Sequence, residues 1–283
     1  MSIAASSLLV EVNISVWTAN KLDKSETDKV LAGNSATRDA AKVHKNLMAG
    51  TSARKRIADF AAACRLWHNT QTLPWSDKGV RLIPTSLFFG YKQELNTRKA
   101  EFDKMVNNFL CEYPTLINDA RANMGSLFNA EDYPSVEEIA SKFSFRVTFS
   151  PVPEAGDFRL DIPTQDLEEL SKQYEDSFKT RINEAMGDAW SRLHKVLTAM
   201  SDKLTEATGE KEKRFHDTFL TNAEELCAML THLNVTKDAK LEQARKQLEE
   251  VINGVSLQSI KESPQVRAAT KSKVDDVLKQ FEW

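Results

Sequence analysis

The residues best suited to chemistry lie between positions 54 and 92, where cations are interleaved with aromatic rings. The candidates are Arg54, Lys55, Arg56, Arg65, Trp67, Trp75, Lys78, Arg81, Tyr91 and Lys92. Lysine and arginine neutralise the phosphates of a nucleic acid, and aromatic rings stack on its unpaired bases. The pattern therefore predicts a site for single-stranded nucleic acid. The alternative interpretation places the rings in the core and the cations on a hydrated helix face.

The distribution of charge singles out the same region. Residues 37–104 contain 13 Lys/Arg and 6 Asp/Glu, although the whole chain has a formal net charge of −3. The remaining residues therefore carry a net charge of −10. A basic first third on an acidic whole favours a polyanion or an acidic protein surface as the partner.

Sequence motifs of common enzyme classes are absent. The nine glycines form no Walker A loop or dinucleotide fingerprint, and neither G-x-S-x-G, H-E-x-x-H nor C-x-x-C occurs. The five histidines have no second ligand-type residue at metal-binding spacing. Adjacent acids such as Glu137 and Glu138 point to different sides of a helix. The sequence thus predicts no catalytic residue, no metal site and no cofactor.

Cysteine usage and hydropathy bear on the compartment. Cys64, Cys111 and Cys227 are far apart in helical apolar patterns, which predicts buried thiols in a reducing compartment. No apolar run reaches the roughly 18 residues of a membrane span. The first residues lack the positive charge that begins a secretory signal. We expect a cytoplasmic protein without a membrane partner.

Two regions alternate apolar and polar residues with a period of two, which predicts β-strands. The first is "LLVEVNISVW" near the start, and the second is "KFSFRVTFSPVPEAGDFRLD". The second contains two alternating runs around a Pro/Gly turn, so it predicts an antiparallel hairpin over 143–162. Because a lone hairpin is marginal in water, we expect a three-stranded antiparallel sheet in which the N-terminal strand pairs with the hairpin. Residues 1–162 would then form one α+β domain with inserted helices.

The inserted helices are predicted from apolar spacing and caps. A polar loop at 21–34 is expected to precede a helix over 35–48. Pro74, Gly79 and Pro84 predict an irregular segment over residues 70–91. A further helix is predicted from about Ser86, with Pro114 closing it.

After position 163 the sequence predicts a helical arm. Apolar positions from Leu167 to Leu204 recur every 3.7 residues, which predicts one helix over 165–207. Such a helix would be about 60 Å long. The pair Ser263-Pro264 opens the last predicted helix in the favoured order of cap and proline. Narrow apolar stripes bury best against one another, so we expect an antiparallel helical hairpin or coiled-coil-like arm over 163–283.

The apolar stripe of this arm is the predicted partner interface. The residues assigned to it are Leu193, Leu197, Met200, Leu204 and Phe281. Stripes of this kind associate with a second copy or with another protein. The final stretch "DDVLKQFEW" either docks into a partner or completes the helix stripe.

Three stretches carry a resemblance to a known family. They are "ISVWTANK", "DYPSVEEIASKFSFRVTFSPVP", and "GDFRLDI" followed by long helices. The chain resembles an uncharacterised domain family encoded by phages and plasmid-like elements, often near a MoxR-type AAA+ ATPase and DNA-recombination genes. The resemblance is firmest over 131–162 and marks no catalytic residue. It implies a bacterial host cytoplasm and makes an AAA+ ATPase a candidate partner.

Together these observations predict a non-enzymatic interaction or assembly module that acts through protein contacts. The alternative is a single-stranded nucleic-acid-binding accessory protein of recombination or replication. The resemblance adds a third hypothesis, an inhibitor of a host defence system, because mobile elements often encode such inhibitors.

Overall fold

The computed structural model describes residues 3–77, 79–153, 164–205, 218–281 and 283. Its helices are α1 (Ile3–Ser6), α2 (Lys24–Gly33), α3 (Ala53–Gln71), α4 (Thr85–Met124), α5 (Val136–Ala140), α6 (Thr164–Leu204), α7 (Thr218–Leu233), α8 (Ala239–Ile252), α9 (Leu257–Glu262) and α10 (Pro264–Gln280). Its strands are β1 (Ser7–Ser15), β2 (Asn20–Leu22), β3 (His44–Asn46), β4 (Leu73–Pro74), β5 (Val80–Pro84) and β6 (Ser144–Pro151). The predicted α+β class, with helices predominating, is confirmed.

The main sheet has four strands in the order β4-β5-β1-β6. Strands β1 and β5 pair in antiparallel fashion, with Ser7 opposite Pro84 and Glu11 opposite Val80. Strand β1 does lie beside β6, the first strand of the predicted hairpin, but β4 and β5 make the sheet larger than the three strands predicted. The turn and second strand of that hairpin lie outside the described residues. Strands β2 and β3 form a separate antiparallel pair.

Strands β4 and β5 lie in the segment that was predicted to be irregular. Pro74 belongs to β4 at the edge of the sheet, where a missing N–H is tolerated, and Pro84 is the last residue of β5. Gly79 has a φ of +87°, which allows the tight turn between the strands. The turn is closed by Trp75 N, which donates to Val80 O at 3.1 Å. The three residues that suggested an irregular segment, Pro74, Gly79 and Pro84, therefore belong to a small hairpin.

The region between β2 and β3 also differs from the prediction. Helix α2 forms where a loop was expected, and the predicted helix over 35–48 is wrong. The carboxylate of Asp23 caps α2 by accepting a hydrogen bond from Glu26 N at 3.1 Å. Ser35 then adopts a φ of +49°, which ends the helical path. Because few residues of α2 are buried, the helix leaves little apolar periodicity in the sequence.

Pro114 lies inside α4 and does not close it. A proline in a helix interior costs about 3 kcal/mol, because it removes one backbone hydrogen bond and crowds the preceding turn. Tyr113, Leu116 and Ala120 are all buried and continue the apolar stripe past the proline. Packing of this stripe offsets the local cost and keeps one continuous helix.

The chain divides into two compact units. Unit 1 comprises Met1–Glu11, Asn69–Tyr91 and Thr148–Trp283, and unit 2 comprises Val12–His68 and Lys92–Val147. The chain thus passes from one unit to the other four times, each time inside a strand or a helix.

Unit 1 has a core formed mainly by helices. Helix α6 packs against α7, α8 and α10 and against strand β4. Apart from the adjacent pair Ala185 and Met186, its buried residues recur every three or four positions: Ile182, Ala185, Met186, Ala189, Leu193, Leu197, Met200 and Leu204. One long helix is therefore confirmed, whereas the coiled-coil-like arm is not confirmed. The predicted boundary between domains 1–162 and 163–283 lies outside the described residues and stays a prediction.

Unit 2 has an aromatic core. The ring of Phe109 lies 6.3 Å from that of Trp17, 5.9 Å from that of Tyr113 and 5.7 Å from that of Phe143. Tilted and edge-on contacts of this kind are the favoured geometries of aromatic pairs. Helix α5 opens with the predicted capping box, in which Ser135 and Glu138 exchange side-chain to backbone hydrogen bonds.

Among all the residues described, no helix is long and apolar enough to cross a membrane.

Candidate functional site

Three cations of the predicted nucleic-acid site lie on α3 in unit 2 and have partners there. Arg54 Nε donates to Trp17 O at 2.8 Å, and Arg65 Nη2 donates to Ile14 O at 2.6 Å. Lys55 pairs with the aspartate four residues further on, at 2.6 Å. Arg65 therefore holds the end of β1, Arg54 holds the chain that follows it, and Lys55 forms an ordinary surface ion pair.

The other candidates in unit 2 are Arg56, Trp67 and Lys92. Arg56 and Lys92 are exposed, and the Arg56 guanidinium has no hydrogen-bond partner within the described chain. Trp67 is half-buried, and the guanidinium of Arg98 lies 4.6 Å from its ring centroid. One face of this ring is therefore already occupied by a cation.

In unit 1 the predicted stacking rings are core residues. Trp75 and Tyr91 are each only 3% exposed, and the ring of Trp75 meets Phe178 edge-on at 5.5 Å. Burial raises the pKa of the Tyr91 hydroxyl well above its usual value. Neither ring offers a face to a base in the folded chain. Lys78 lies outside the described residues, and Arg81 lines the groove described below.

The residues of the predicted partner interface are also largely covered. Four of them are 0–2% exposed in the core of unit 1: Leu193, Leu197, Met200 and Leu204. Phe281 is half-buried, with its ring 5.8 Å from that of Trp190. A partner interface on these residues stays a prediction, and it would require α6 to separate from the helices that cover it.

Unit 1 contains a groove of about 600 Å³, and we take it as the candidate functional site. It is lined by the end of α3, by Arg81 of β5, and by residues of α6 and α7. Its cations are Arg81, Arg192 and Lys195, and its acids are Asp188 and Glu225. Grooves of this volume accommodate a small ligand or part of a peptide.

Arg81 and Arg192 converge on the last carbonyls of α3. Arg192 donates from Nη1 to Thr70 O at 2.8 Å, and from Nη2 to Asn69 O at 2.8 Å and to Thr72 O at 2.7 Å. Arg81 donates from Nε to Thr72 Oγ1 at 2.6 Å and from Nη2 to Thr72 O at 3.0 Å. The carbonyl end of a helix carries a partial negative charge, and the two guanidiniums neutralise it.

The groove keeps hydrogen-bond donors that these contacts do not use. Burial, together with the neighbouring charge of Arg192, lowers the pKa of Arg81, but an arginine stays charged at neutral pH. Arg81 Nη1 has no hydrogen-bond partner in the described part of the chain. Lys195 is exposed and likewise makes no ion pair with a described residue. Asp188 balances part of the charge through an ion pair with Arg192 at 2.7 Å.

A second groove of about 600 Å³ in unit 1 is lined by Cys227 and Arg245, and this arginine is already paired with two glutamates. Arg245 is buried and pairs with Glu242 at 2.8 Å and with Glu249 at 3.0 Å. Burial raises the pKa of the Cys227 thiol to about 11, so the thiolate needed for nucleophilic chemistry is scarce at neutral pH. This groove offers neither a free cation nor an activated thiol among its described residues.

Unit 2 contains a partly buried charge cluster that sequence reasoning missed. Lys21 and Lys45 stand directly opposite each other in the β2–β3 pair. Asp132 lies between them, with Oδ1 2.8 Å from Lys21 Nζ and Oδ2 2.5 Å from Lys45 Nζ. Lys45 Nζ also lies 3.3 Å from Asp23 Oδ2 and 3.3 Å from Leu127 O. All three N–H groups of Lys45 therefore have acceptors, which is the arrangement of a structural cluster.

Two serines contact residues that activate nucleophiles in some enzymes. Ser86 Oγ lies 3.1 Å from His232 Nδ1, and both residues are exposed. No described carboxylate bonds to His232 to orient it. Ser201 Oγ donates to Asp275 at 2.5 Å, and this bond joins α6 to α10. Lys271, also on α10, binds the other oxygen of the same carboxylate. Among the described residues, neither serine has both a base and an orienting acid.

The described part of the chain contains no group of three or more His, Cys, Asp or Glu side chains that could hold a metal ion.

One face of α7 continues from the groove to the end of the helix. Met229 lines the groove, and His232, three residues later, contacts Ser86 of α4. Phe89 follows Ser86 by three residues and so shares its helix face. The Phe89 side chain is 83% exposed. We call Met229, His232, Ser86 and Phe89 the α7 surface.

Sequence reasoning named Arg81 but missed Arg192 and Lys195. Arg192 is far away in the sequence, and its local pairing with Asp188 is typical of any exposed helix. Only the packing of α6 beside the end of α3 distinguishes it.

Comparisons with family models, with curated proteins and with solved structures found no match.

Proposed function

We propose that the protein is a non-enzymatic interaction module that binds a partner protein through the α7 surface of unit 1. The observation that carries this proposal is the 83% exposure of Phe89 at the start of a long helix. Burial of one such side chain against a partner contributes about 1.5–3 kcal/mol. Aromatic side chains on rigid elements are common anchors of protein interfaces.

The partner is a second copy of the chain or another protein. The resemblance described above makes a MoxR-type AAA+ ATPase one candidate in a bacterial cytoplasm. Inhibition of a host defence system would use the same kind of contact with a different partner.

Changing Phe89 to aspartate should reduce partner capture by about tenfold, because a charge replaces the apolar anchor. The measurement is a pull-down from the source cells with the tagged full-length chain, followed by quantitative mass spectrometry. Light scattering after size exclusion reports self-association in parallel. Since Phe89 is exposed, the circular dichroism spectrum should not change.

Leu66→Asp is the matched control, because Leu66 is 66% exposed and belongs to unit 2. It should capture the same proteins as the natural chain. Equal losses in both variants, or a strict monomer that captures no protein, would count against the proposal.

Binding of single-stranded nucleic acid is the second proposal, and the exposed Arg56 guanidinium without a described partner favours it. Arg56→Glu should weaken binding of a labelled oligonucleotide and reduce the slope of log affinity against log salt by about 1. Fluorescence anisotropy at several salt concentrations measures both. Variants at Trp75 or Tyr91 would disturb the core of unit 1 and are poor probes. No anisotropy change at low salt would exclude this proposal.

A further inference from the structure

The guanidiniums of Arg81 and Arg192 form a pair of like charges at the wall of the groove. Both donate to Asn69 O and to Thr72 O, so the two side chains lie close together. Like charges this close repel each other, and Asp188 together with the end of α3 relieves only part of the repulsion. An oxyanion in the groove would relieve more of it and could accept a hydrogen bond from Arg81 Nη1.

The charge balance of the groove favours a monoanion. Three cations and two acids line it, which gives a formal charge of +1. A carboxylate neutralises this charge, whereas a phosphate dianion would leave the groove with an uncompensated negative charge. Lys195 is exposed and can supply a second contact to the same carboxylate.

Apolar residues beside the cations favour a peptide over a free acid. Val196, Leu226 and Met229 line the groove and are partly buried against the core of unit 1. They provide contacts for the side chains that flank an acidic residue in a protein segment. The groove then continues into the α7 surface, where Phe89 is exposed.

We propose that the groove binds the side-chain carboxylate of an acidic segment of the partner protein, with Arg81 and Lys195 as the donors. This inference rests on the proposed function, because it names the chemistry of the partner that the α7 surface engages.

The test uses a short fluorescein-labelled peptide of alternating leucine and glutamate with the full-length protein. The matched peptide has glutamine in place of glutamate and should bind about tenfold more weakly, because a charge-assisted hydrogen bond is lost. Lys195→Glu should weaken binding of the glutamate peptide by about tenfold as well. Lys179→Glu is the matched control on α6, since Lys179 is exposed and outside the groove, and it should change the affinity by less than about twofold.

Equal binding of the two peptides, or equal effects of the Lys195 and Lys179 variants, would overturn the inference. Sodium succinate binding as tightly as the glutamate peptide would show a site for free carboxylates and would also overturn it. The capture assay with Phe89→Asp is independent of these readouts. A mixed outcome is capture that depends on Phe89 while Lys195→Glu binds both peptides with the same affinity as the natural chain. In that outcome the proposed function stands and the carboxylate site is excluded.

Discussion

Replacing Leu197 by alanine is expected to lower the free energy of unfolding by about 3 kcal/mol. Leu197 is fully buried in the core of unit 1, on the face of α6 that packs against the neighbouring helices. Truncation removes apolar contacts and leaves a cavity that the surrounding helices fill only in part. Urea denaturation followed by tryptophan fluorescence measures the change.

Leu170→Ala on the same helix is the matched control, because Leu170 is 36% exposed. It should change the free energy of unfolding by less than about 0.5 kcal/mol. The pair of variants also tests the predicted partner interface. If Leu197 faced a partner instead of the core, its alanine variant would keep the stability of the monomer and lose association.

Replacing Asp132 by alanine is expected to lower the free energy of unfolding by about 2 kcal/mol, because it leaves a largely buried lysine with only Asp23 as its counter-ion. The side chain of Lys45 is only 11% exposed. Without Asp132, Lys45 and Lys21 would also repel each other across the β2–β3 pair. Asp59→Ala removes an exposed ion pair and should cost less than about 1 kcal/mol in the same urea experiment.

Asp132→Ala should also change how the free energy of unfolding depends on pH. Burial alone would raise the pKa of Asp132, but the bonds to Lys21 and Lys45 outweigh burial and hold the pKa below its usual value. The unfolded chain therefore binds more protons than the folded chain when the pH falls below about 4. The contribution of Asp132 is present above that pH and is lost as the pH falls through the folded pKa. Asp132→Ala should show a flatter loss of stability in acid, and an unchanged slope would contradict the assigned role.

Features with local causes could be predicted from the sequence. The alternation of β1 and the apolar stripe of α6 each come from one stretch of chain, and both elements form as expected. The cap at Ser263 and the proline after it begin α10, also as expected. In each case the residues that determine the element are its own neighbours in the sequence.

Features that depend on distant partners could not be predicted in this way. Strand β4 is stable at the edge of the sheet because β5 pairs with it. Its two residues are too few to show the alternating pattern that predicts a strand. Asp132 had no visible role until the fold placed it between Lys21 and Lys45. The candidate groove could not be predicted for the same reason, since Arg192 reaches the end of α3 only through the packing of α6.

The repeated passage of the chain between the two units determines the order in which a ribosome can complete them. Unit 2 has all of its residues once Val147 has been synthesised, whereas unit 1 must wait for the helices that follow. Leu9 belongs to the core of unit 1, so the earliest strand emerges long before most of its packing partners exist. Nascent chains stalled far enough beyond Val147 for that residue to leave the ribosome should therefore carry a folded unit 2, together with an exposed, chaperone-binding first half of β1 (residues 7–11).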